Sequence, residues 1–122
     1  MKIILPWPPS KTSKNGSQGD YFGKARAARA YKTNCASECR KQRVKPMNLA
    51  SGDTSVKITY YPPNNRRVDW DNLAGRAKQG WDAIAEATGV DDGRWWPVTC
   101  AKGAAVKNGK IVVEFLNKWG GE

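Results

Sequence analysis

The spacing of the apolar residues switches repeatedly between that of a strand and that of a helix, and this alternation most constrains the fold. Apolar residues alternate in period two over residues 56–60, whereas small and apolar residues recur with helical spacing over residues 21–43 and 72–88. Strands are expected at residues 2–5, 56–60, 104–107 and 110–115, and residues 95–101 also look extended. The resulting order, β-α-β-α-β-β, predicts an α+β domain: a mixed sheet with two main helices packed on one face.

Turn-forming residues mark where these elements end. Residues 6–9 read Pro-Trp-Pro-Pro and stop the first strand, because proline lacks the backbone donor that a strand interior needs. Gly89 stops the second helix, and Asp69 or Asp71 is placed to cap its start. Asn108-Gly109 predicts a β-hairpin that joins residues 104–107 to residues 110–115.

The chain length favours one domain. With 122 residues and no internal boundary, residues 1–122 are expected to combine recognition and chemistry in a single fold. A domain of this size gains surface and stability by dimerising, so we expect a homodimer. No stretch approaches the roughly 20 apolar residues that cross a bilayer. The amino-terminal segment is too short for a signal peptide, so we expect a cytoplasmic protein with no membrane partner.

The net charge of +10 is unevenly distributed. Residues 69–92 hold six of the 11 acidic residues but only two of the 21 lysines and arginines, so a basic body surrounds one acidic segment. This pattern favours a polyanion-binding protein with a metal pocket, although a solvated acidic helix on an ordinary basic protein would also explain it. The absence of histidine excludes Ser-His-Asp and Cys-His catalysis and favours carboxylates with a metal.

The three cysteines, Cys35, Cys39 and Cys100, do not indicate a zinc site. A structural zinc ion draws four ligands from Cys and His, and this chain offers three cysteines and no histidine. We expect reduced thiols that act as small buried residues.

Asp69 and Asp71 are separated by one residue, so their carboxylates can point the same way in an extended segment that enters a helix. One or two carboxylates, with the remaining positions left to water and phosphate, are what Mg²⁺ prefers. Such an ion polarises a phosphate and lowers the pKa of the attacking water. By itself, however, an Asp-x-Asp pair is more typical of helix capping and surface charge.

A longer pattern surrounds this pair. Residues 66–73 read Arg-Arg-Val-Asp-Trp-Asp-Asn-Leu, residues 90–92 read Val-Asp-Asp, and residues 5–10 read Leu-Pro-Trp-Pro-Pro-Ser. Taken in their order along the chain, these three motifs resemble the RusA family of Holliday junction resolvases. The resemblance runs from the first strand to the last. It implies a homodimeric α+β protein, of bacterial or phage origin, that binds four-way DNA junctions. With Mg²⁺, or Mn²⁺ as a substitute, such a protein nicks two opposing strands symmetrically in recombination and repair.

The resemblance also implies roles for individual residues. Asp69, Asp71 and Asp92 match the three catalytic acids of the family and would bind the metal, with Asp91 as a helper. Arg66 and Arg67 match its basic run and would bind DNA phosphates.

Two positions depart from the family pattern. The lysine that typically lies one helical turn after the second acid is replaced by Gly75. We favour Lys78 as the catalytic cation in its place, with Arg76 second, although both could be structural. The asparagine that soon follows the first motif in the family is displaced to Asn15, which leaves its role unassigned.

Other basic residues are candidates for DNA contacts. The polar segment 10–20 carries Lys11 and Lys14, and the first predicted helix carries Lys24, Arg26 and Arg29. These side chains could lie along DNA phosphates. A loop without function and a merely solvated helix face are the alternatives.

The second predicted helix raises a question about Asp92. A continuous helix over residues 72–88 is about 25 Å long, which puts Asp92 at the opposite end from Asp69. Either the chain folds back along the helix after Gly89, or the partner subunit supplies Asp91 and Asp92. We favour the second alternative, an intertwined homodimer with its two sites at the interface.

The tryptophans favour packing over binding. Trp70 and Trp81 are expected in the core, and Trp95 with Trp96 could either stack on unpaired bases or pack a dimer, of which packing is favoured. Two other functions fit the sequence: a protein that binds branched DNA without cutting it, and a metal-dependent nuclease for flaps or structured RNA.

Overall fold

The computed structural model describes residues 1–10, 21–47 and 52–116. In chain order they form β1 (Lys2–Pro6), α1 (Tyr21–Lys41), β2 (Thr54–Tyr61), α2 (Trp70–Arg76), α3 (Lys78–Thr88), a 3-10 turn (Asp92–Arg94), β3 (Trp95–Lys102) and β4 (Lys110–Phe115). The predicted α+β class with a mixed sheet is confirmed. In these three ranges, no helix is both long and apolar enough to cross a bilayer.

The strand directions bring several loops together at one end of the sheet. The strand order is β1-β4-β2-β3, in which β2 runs parallel to β3, while β4 runs antiparallel to both β2 and β1. β1, β2 and β3 therefore all end at the end of the sheet where β4 begins. There Lys110, the first residue of β4, is in register with Pro6 on one side and Tyr61 on the other. The segments that follow β1 and β2 consequently lie close together.

One face of the sheet carries the core. Along β2, every second residue from Thr54 to Tyr60 is buried and those between are more exposed, which is the pattern of a strand with one covered face. α1 packs against α3 and β1. α3 approaches both α1 and β1 closely at Gly80, where an added Cβ would lie 3.4 Å from Sγ of Cys35 and 2.9 Å from Cδ1 of Leu5.

The two edge strands are protected differently. The side chain of Gln42 pairs with the free edge of β1: the Ile4 amide donates to Oε1 at 2.8 Å, and Nε2 donates to the Ile4 carbonyl at 2.7 Å. β3 forms the other edge. Its register with β2 shifts where Trp96 and Pro97 stand opposite the single residue Ser55, which makes a bulge.

The second predicted helix is not continuous. It divides into α2 and α3 at Ala77, whose φ of −93° and ψ of 3° leave the helical region. The Gly80 amide donates to the Ala77 carbonyl at 2.8 Å, a contact three residues apart that tightens the chain at the break. Ala77 is fully buried and the segment also contains Gly75, a weak helix former. Tertiary packing therefore overrides the helical spacing of the sequence.

The predicted hairpin is wrong. Asn108 and Gly109 do form a turn with positive φ angles of 67° and 66°, but residues 104–107 form no strand. Instead the chain crosses the end of β2, where the Gly103 amide donates to the Tyr60 carbonyl at 2.8 Å and the Val106 amide to the Pro62 carbonyl at 2.9 Å. β4 then returns on the far side of β2.

The first helix ends two residues earlier than the predicted end at residue 43. Arg43 has a φ of 58°, and the Val44 amide donates to the Cys39 carbonyl at 3.0 Å, while the Arg43 amide donates to the Arg40 carbonyl at 3.0 Å. This is a Schellman-type ending in which arginine takes the position that glycine usually occupies. Because no glycine stands at this position, no local pattern indicated the ending.

Candidate nucleic-acid and metal site

A polar cleft of about 780 Å³ opens at the end of the sheet where β1 and β2 stop. Its lining includes Arg66, Arg67 and Arg76 together with Asp69, and we call it the arginine cleft. Neutral polar side chains also line it, namely Ser10, Asn64, Asn72 and Asn108. With three guanidinium groups and one carboxylate, its charge is complementary to phosphate.

Arg76 connects α2 to the proline-rich segment of residues 6–9. Its Nη2 atom donates to the Pro8 carbonyl at 2.7 Å, and its Nε atom donates to the Pro9 carbonyl at 3.4 Å. The guanidinium carbon also lies 5.8 Å from the ring centroid of Trp7, within cation–π range. Arg76 therefore joins α2 to the proline-rich segment and builds a wall of the cleft. Its predicted contact with DNA stays a prediction.

The acid pair lies at the start of α2. Asp69 occupies the N-cap position with φ −81° and ψ 136°, but its side chain makes no capping hydrogen bond. Oδ1 of Asp71 accepts from the amide of the next residue, Asn72, at 2.8 Å. Both aspartates are exposed. Asp69 therefore holds the predicted N-cap position, but its carboxylate makes no capping hydrogen bond and lines the arginine cleft.

Asp92 returns to α3 of its own chain. Its Oδ2 atom accepts from Nζ of Lys78 at 2.7 Å, and Lys78 is the first residue of α3. The chain reverses because Gly89 has a φ of 74° and caps α3, after which Val90 is buried. The straight-helix prediction is therefore corrected, because the chain folds back along α3, while supply of Asp92 by the partner subunit stays a prediction. The length argument for supply of Asp92 by a partner subunit no longer holds.

Asp91 and Lys78 have structural contacts of their own. Oδ2 of Asp91 accepts from the Gly93 amide at 2.9 Å and caps the 3-10 turn. Nζ of Lys78 also lies 3.1 Å from Oδ1 of Asp82, so this lysine bridges two carboxylates. The hydrogen bond with Asp92 raises the pKa of Lys78 and keeps it cationic.

The predicted metal ligands are only partly brought together. Asp69 lies in the arginine cleft, whereas Asp92 lines a separate apolar groove of about 330 Å³ with Trp70 and Trp96. Across residues 1–10, 21–47 and 52–116, no three acidic or thiol side chains are grouped so that they could bind one ion. Binding of a metal by Asp69, Asp71, Asp91 and Asp92 stays a prediction.

The other predicted DNA contacts are distributed around the first helix. Arg26 and Arg29 are exposed on α1, and Lys24 is half-buried. Lys11, Lys14 and Asn15 lie outside the described residues. No contact with DNA is tested for any of these residues.

The tryptophans divide into two classes. Trp81 is buried as predicted. Trp95, expected to stack on bases or pack a dimer, is instead buried in the same core and meets Trp81 edge to face, with ring centroids 6.3 Å apart. Trp70 is 72% exposed, so the core position predicted for it is wrong. Trp96 is 62% exposed, and its packing in a dimer stays a prediction. All three cysteines are free, and Cys35 and Cys39 are buried as predicted, but Cys100 is exposed.

Sequence reasoning missed an apolar cavity beside the arginine cleft. It measures about 180 Å³, and we call it the aromatic pocket because Trp7, Tyr60 and Trp70 line it. Tyr60 belongs to the buried face of β2, so its sequence pattern indicated only core packing. The prediction of a β-hairpin likewise concealed the place of Asn108 in the arginine cleft.

The comparisons with known proteins give a distant similarity. An uncharacterized protein of Xylella fastidiosa (strain Temecula1) is 29% identical over 94 residues. The match covers 76% of this chain and 61% of that protein, so the chain spans about three-fifths of the length of this relative. No protein-family model matches the chain.

Proposed function

We propose that this protein is a Mg²⁺-dependent endodeoxyribonuclease of the RusA type that resolves four-way DNA junctions by paired, symmetric nicks. The observation that carries the proposal is the position of Asp69, an exposed carboxylate in a cleft with three arginines, two residues before the exposed Asp71. Arginines attract and hold a phosphate backbone, and a carboxylate pair beside them is suited to a divalent cation at that backbone.

The donor set at the start of α2 fits Mg²⁺. Asp69 and Asp71 offer two solvent-exposed carboxylates, and Mg²⁺ is typically bound through one or two carboxylates with water and phosphate completing the shell. These two residues would hold the ion, with Mn²⁺ as a substitute. When bound, the ion supplies charge neutralisation at the phosphate and a water molecule of lowered pKa.

The side chains around the pair bind and orient the DNA. Arg66 and Arg67 are exposed in the cleft and would neutralise phosphates on either side of the cutting position. Arg76 holds the proline-rich wall against α2 through the Pro8 and Pro9 carbonyls. Lys78 acts through Asp92, whose carboxylate it holds, and is therefore a positioning residue in this proposal.

We propose a homodimer because paired nicks in a two-fold substrate need two sites. The source of the third acid can be decided by mixing two variants whose cleavage is strongly reduced, Asp71→Asn and Asp92→Asn, before adding a junction. If the partner subunit supplies Asp92, the mixed dimer contains one intact site and regains nicking of one strand. If each chain supplies its own Asp92, as its contact with Lys78 favours, the mixture stays at this reduced level.

A second candidate function is recognition of branched DNA without cleavage. It is favoured by one observation: Asp92, the third expected acid, is engaged by Lys78, while Gly75 stands where a lysine is expected. Such a protein would keep the basic cleft and lack the assembled metal site.

Incubation of a labelled four-way junction with Mg²⁺, Mn²⁺ or chelator separates the two functions. We expect symmetric nicks with either metal and no nicks with chelator. Asp71→Asn should bind the junction and leave it intact, because the change removes one carboxylate charge and keeps the basic surface. Binding without cleavage in both metals would support the non-cutting protein, and cleavage of flaps in preference to junctions would support a nuclease of different substrate class.

A further inference from the structure

Two aromatic rings are exposed on the first turn of α1. Tyr21 is 76% exposed and Phe22 is 74% exposed, and their rings meet edge to face with centroids 5.5 Å apart. The next residue, Gly23, is buried, so this turn of the helix is packed against the protein on its other side. The rings are therefore held in a fixed place on the surface, as aromatic side chains that bind a partner typically are.

A basic stripe continues from these rings along the helix. Phe22, Arg26 and Arg29 follow one another at spacings of four and three residues, so they lie on one face of α1, and all three are exposed. We call them the α1 stripe. Among the described residues, neither arginine has an ion-pair partner. Both guanidinium groups are consequently available to an anion beside the rings.

The charge around the α1 stripe has one sign. Residues 21–37 contain four lysines and arginines and no acidic residue, and the first acid of the helix is Glu38. Of the four cations, Lys32 is paired with Glu86. Such a surface is complementary to a partner that carries both negative charge and flat apolar faces. A nucleic acid has both wherever its bases are unpaired.

The course of α1 places the stripe at the same end of the molecule as the arginine cleft. The Tyr31 hydroxyl donates to the carbonyl of Pro6, the last residue of β1, at 2.7 Å, whereas Gln42, just after the helix, pairs with Ile4. Toward its first residue the helix therefore runs toward the end of β1, and Phe22 lies about 14 Å before Tyr31 along the axis. The arginine cleft opens where β1 and β2 stop.

We propose that the α1 stripe binds the branch point of the DNA: the Phe22 ring, supported by Tyr21, stacks on one unpaired base, and Arg26 and Arg29 hold phosphates of the same strand. The proposal rests on the proposed function, because branched DNA in the arginine cleft brings a branch point to this end of the molecule. Unpairing of a base is least costly where pairing is already interrupted. Since every base has a face that can stack, the stripe recognises the branch and not the sequence.

The first test measures binding of the full chain to a labelled four-way junction, with Ca²⁺ in place of Mg²⁺ to prevent cutting. Phe22→Leu removes the ring but keeps an apolar side chain and the charge. It should weaken junction binding by roughly tenfold, because it removes the stacking of one base on an aromatic ring. Phe22→Trp keeps a ring and should bind as the parent does. Binding of a linear duplex with the sequence of one arm should be equal in all three proteins.

The second test separates the ring from the charge. Arg26→Gln should weaken binding of the junction and of the linear duplex alike, and should reduce the slope of log K against log salt by about 0.9. Phe22→Leu should leave the slope unchanged. Arg40→Gln removes the same charge from an exposed position in the last turn of α1 and is the control. An equal reduction of the slope in Arg40→Gln would overturn the role of Arg26.

A fluorescent base at the branch point reports stacking directly. A junction with 2-aminopurine at the branch should show a saturable change in fluorescence on binding of the parent and of Phe22→Trp. The change should be absent in Phe22→Leu at protein concentrations that saturate the junction. A junction with the probe in the middle of one arm should show no change with any of the three proteins. A change that persists in Phe22→Leu overturns the stacking role of Phe22.

The outcomes separate this proposal from the proposed function. Nicking of junctions in Mg²⁺ with unchanged binding in Phe22→Leu overturns the stripe and leaves the nuclease, whereas ring-dependent binding without nicking leaves the stripe and overturns the nuclease. If no junction is bound, the nuclease fails and a single-stranded oligonucleotide decides: binding weakened in Phe22→Leu and kept in Phe22→Trp retains the stripe, and any other result overturns it.

Thermal unfolding of Phe22→Leu tests whether the ring is free. A change at an exposed position should shift Tm by less than about 3 °C. A marked fall in Tm would show that residues 11–20 or a second copy of the chain already cover the ring, which overturns the proposal.

Discussion

Nζ of Lys78 lies 2.7 Å from Oδ2 of Asp92, fourteen residues further along the chain, so the segment that leaves the end of α3 returns to its first residue. The lysine side chain is 52% exposed, so the ion pair contributes little to the free energy of unfolding. Its effect is on position: Asp92 is held beside the first turn of α3, close to the break at Ala77.

Lys78→Gln should therefore lower junction cleavage by tenfold or more while it changes the free energy of unfolding by less than about 1 kcal/mol. The losses in Lys78→Gln and Asp92→Asn should not add in the double variant, because both changes break the same contact. Single-turnover cleavage rates of the two single variants and the double variant measure this coupling. Lys32→Gln, which removes a comparable surface pair with Glu86, is the control and should cut normally. Additive losses would show that Lys78 acts independently of Asp92.

Gly75→Lys should restore a cation one helical turn after Asp71. A Cβ at Gly75 meets no atom within 4 Å, so the change introduces no clash. Replacement of a helical glycine should also raise the free energy of unfolding by about 0.5–1 kcal/mol. We expect faster Mg²⁺-dependent cleavage together with this stabilisation, as measured by single-turnover kinetics and chemical denaturation. Gly75→Gln, which brings similar helix propensity and no charge, should be stabilised without the gain in rate.

Arg76→Met should destabilise the fold by about 2 kcal/mol, because it leaves the Pro8 and Pro9 carbonyls without their charged donor and removes the cation from Trp7. Arg67→Met is the matched control, since Arg67 is an exposed member of the same cleft and should change stability by less than about 0.5 kcal/mol. Urea denaturation compares the two. Equal effects would contradict the structural role of Arg76.

Replacement of both Arg66 and Arg67 by Gln should lower the salt dependence of junction binding. Each lost phosphate contact reduces the slope of log K against log salt by about 0.9, so the double variant should lose about 1.8. Arg40→Gln with Lys45→Gln removes the same charge from exposed positions at and beyond the end of α1. If this control reduces the slope equally, net charge and not the arginine cleft governs binding.

The buried thiol of Cys35 should make the fold sensitive to alkali. Burial raises its pKa from 9.0 to about 12. Because the unfolded thiol ionises at lower pH than the folded one, its stabilising contribution is complete below about pH 9 and falls as pH rises toward 12. The decline should be about 1.4 kcal/mol per pH unit. Between pH 9 and 10, before Tyr31 with its raised pKa contributes, the parent should lose stability more steeply than Cys35→Ala. Parallel curves would contradict the assignment.

Local patterns predicted most elements, and contacts between distant residues decided the remainder. The period-two pattern of β2 and the helical spacing of α1 depend on neighbours in the sequence, so they were predicted closely. The turn at Asn108-Gly109 was also local, but the strand that pairs with β4 was not its sequence neighbour, because β2 lies between β3 and β4. The break at Ala77 likewise depends on packing, which no pattern in residues 72–88 indicated.

The candidate site follows the same division. The spacing of Asp69 and Asp71 was readable in the sequence, and so was the basic run before them. The contacts of Arg76 with Pro9 and Pro8 span 67 and 68 positions of the chain, so no local signal predicts them. The return of Asp92 to Lys78 depends on a glycine turn and a buried valine, of which the sequence indicated only the first.

The bulge at Trp96 and Pro97 has a consequence for how copies of this protein can associate. Among the described residues no strand pairs with the outer edge of β3, and an unpaired edge is a template on which another chain can add a strand. Pro97 has no amide hydrogen to donate, and the bulge bends the strand where a straight ladder would have to continue. At the opposite edge, Gln42 already pairs with Ile4 of β1. Both margins of the sheet thus resist fibril-like growth, and self-association of this protein should proceed through side-chain packing instead of a sheet shared between molecules.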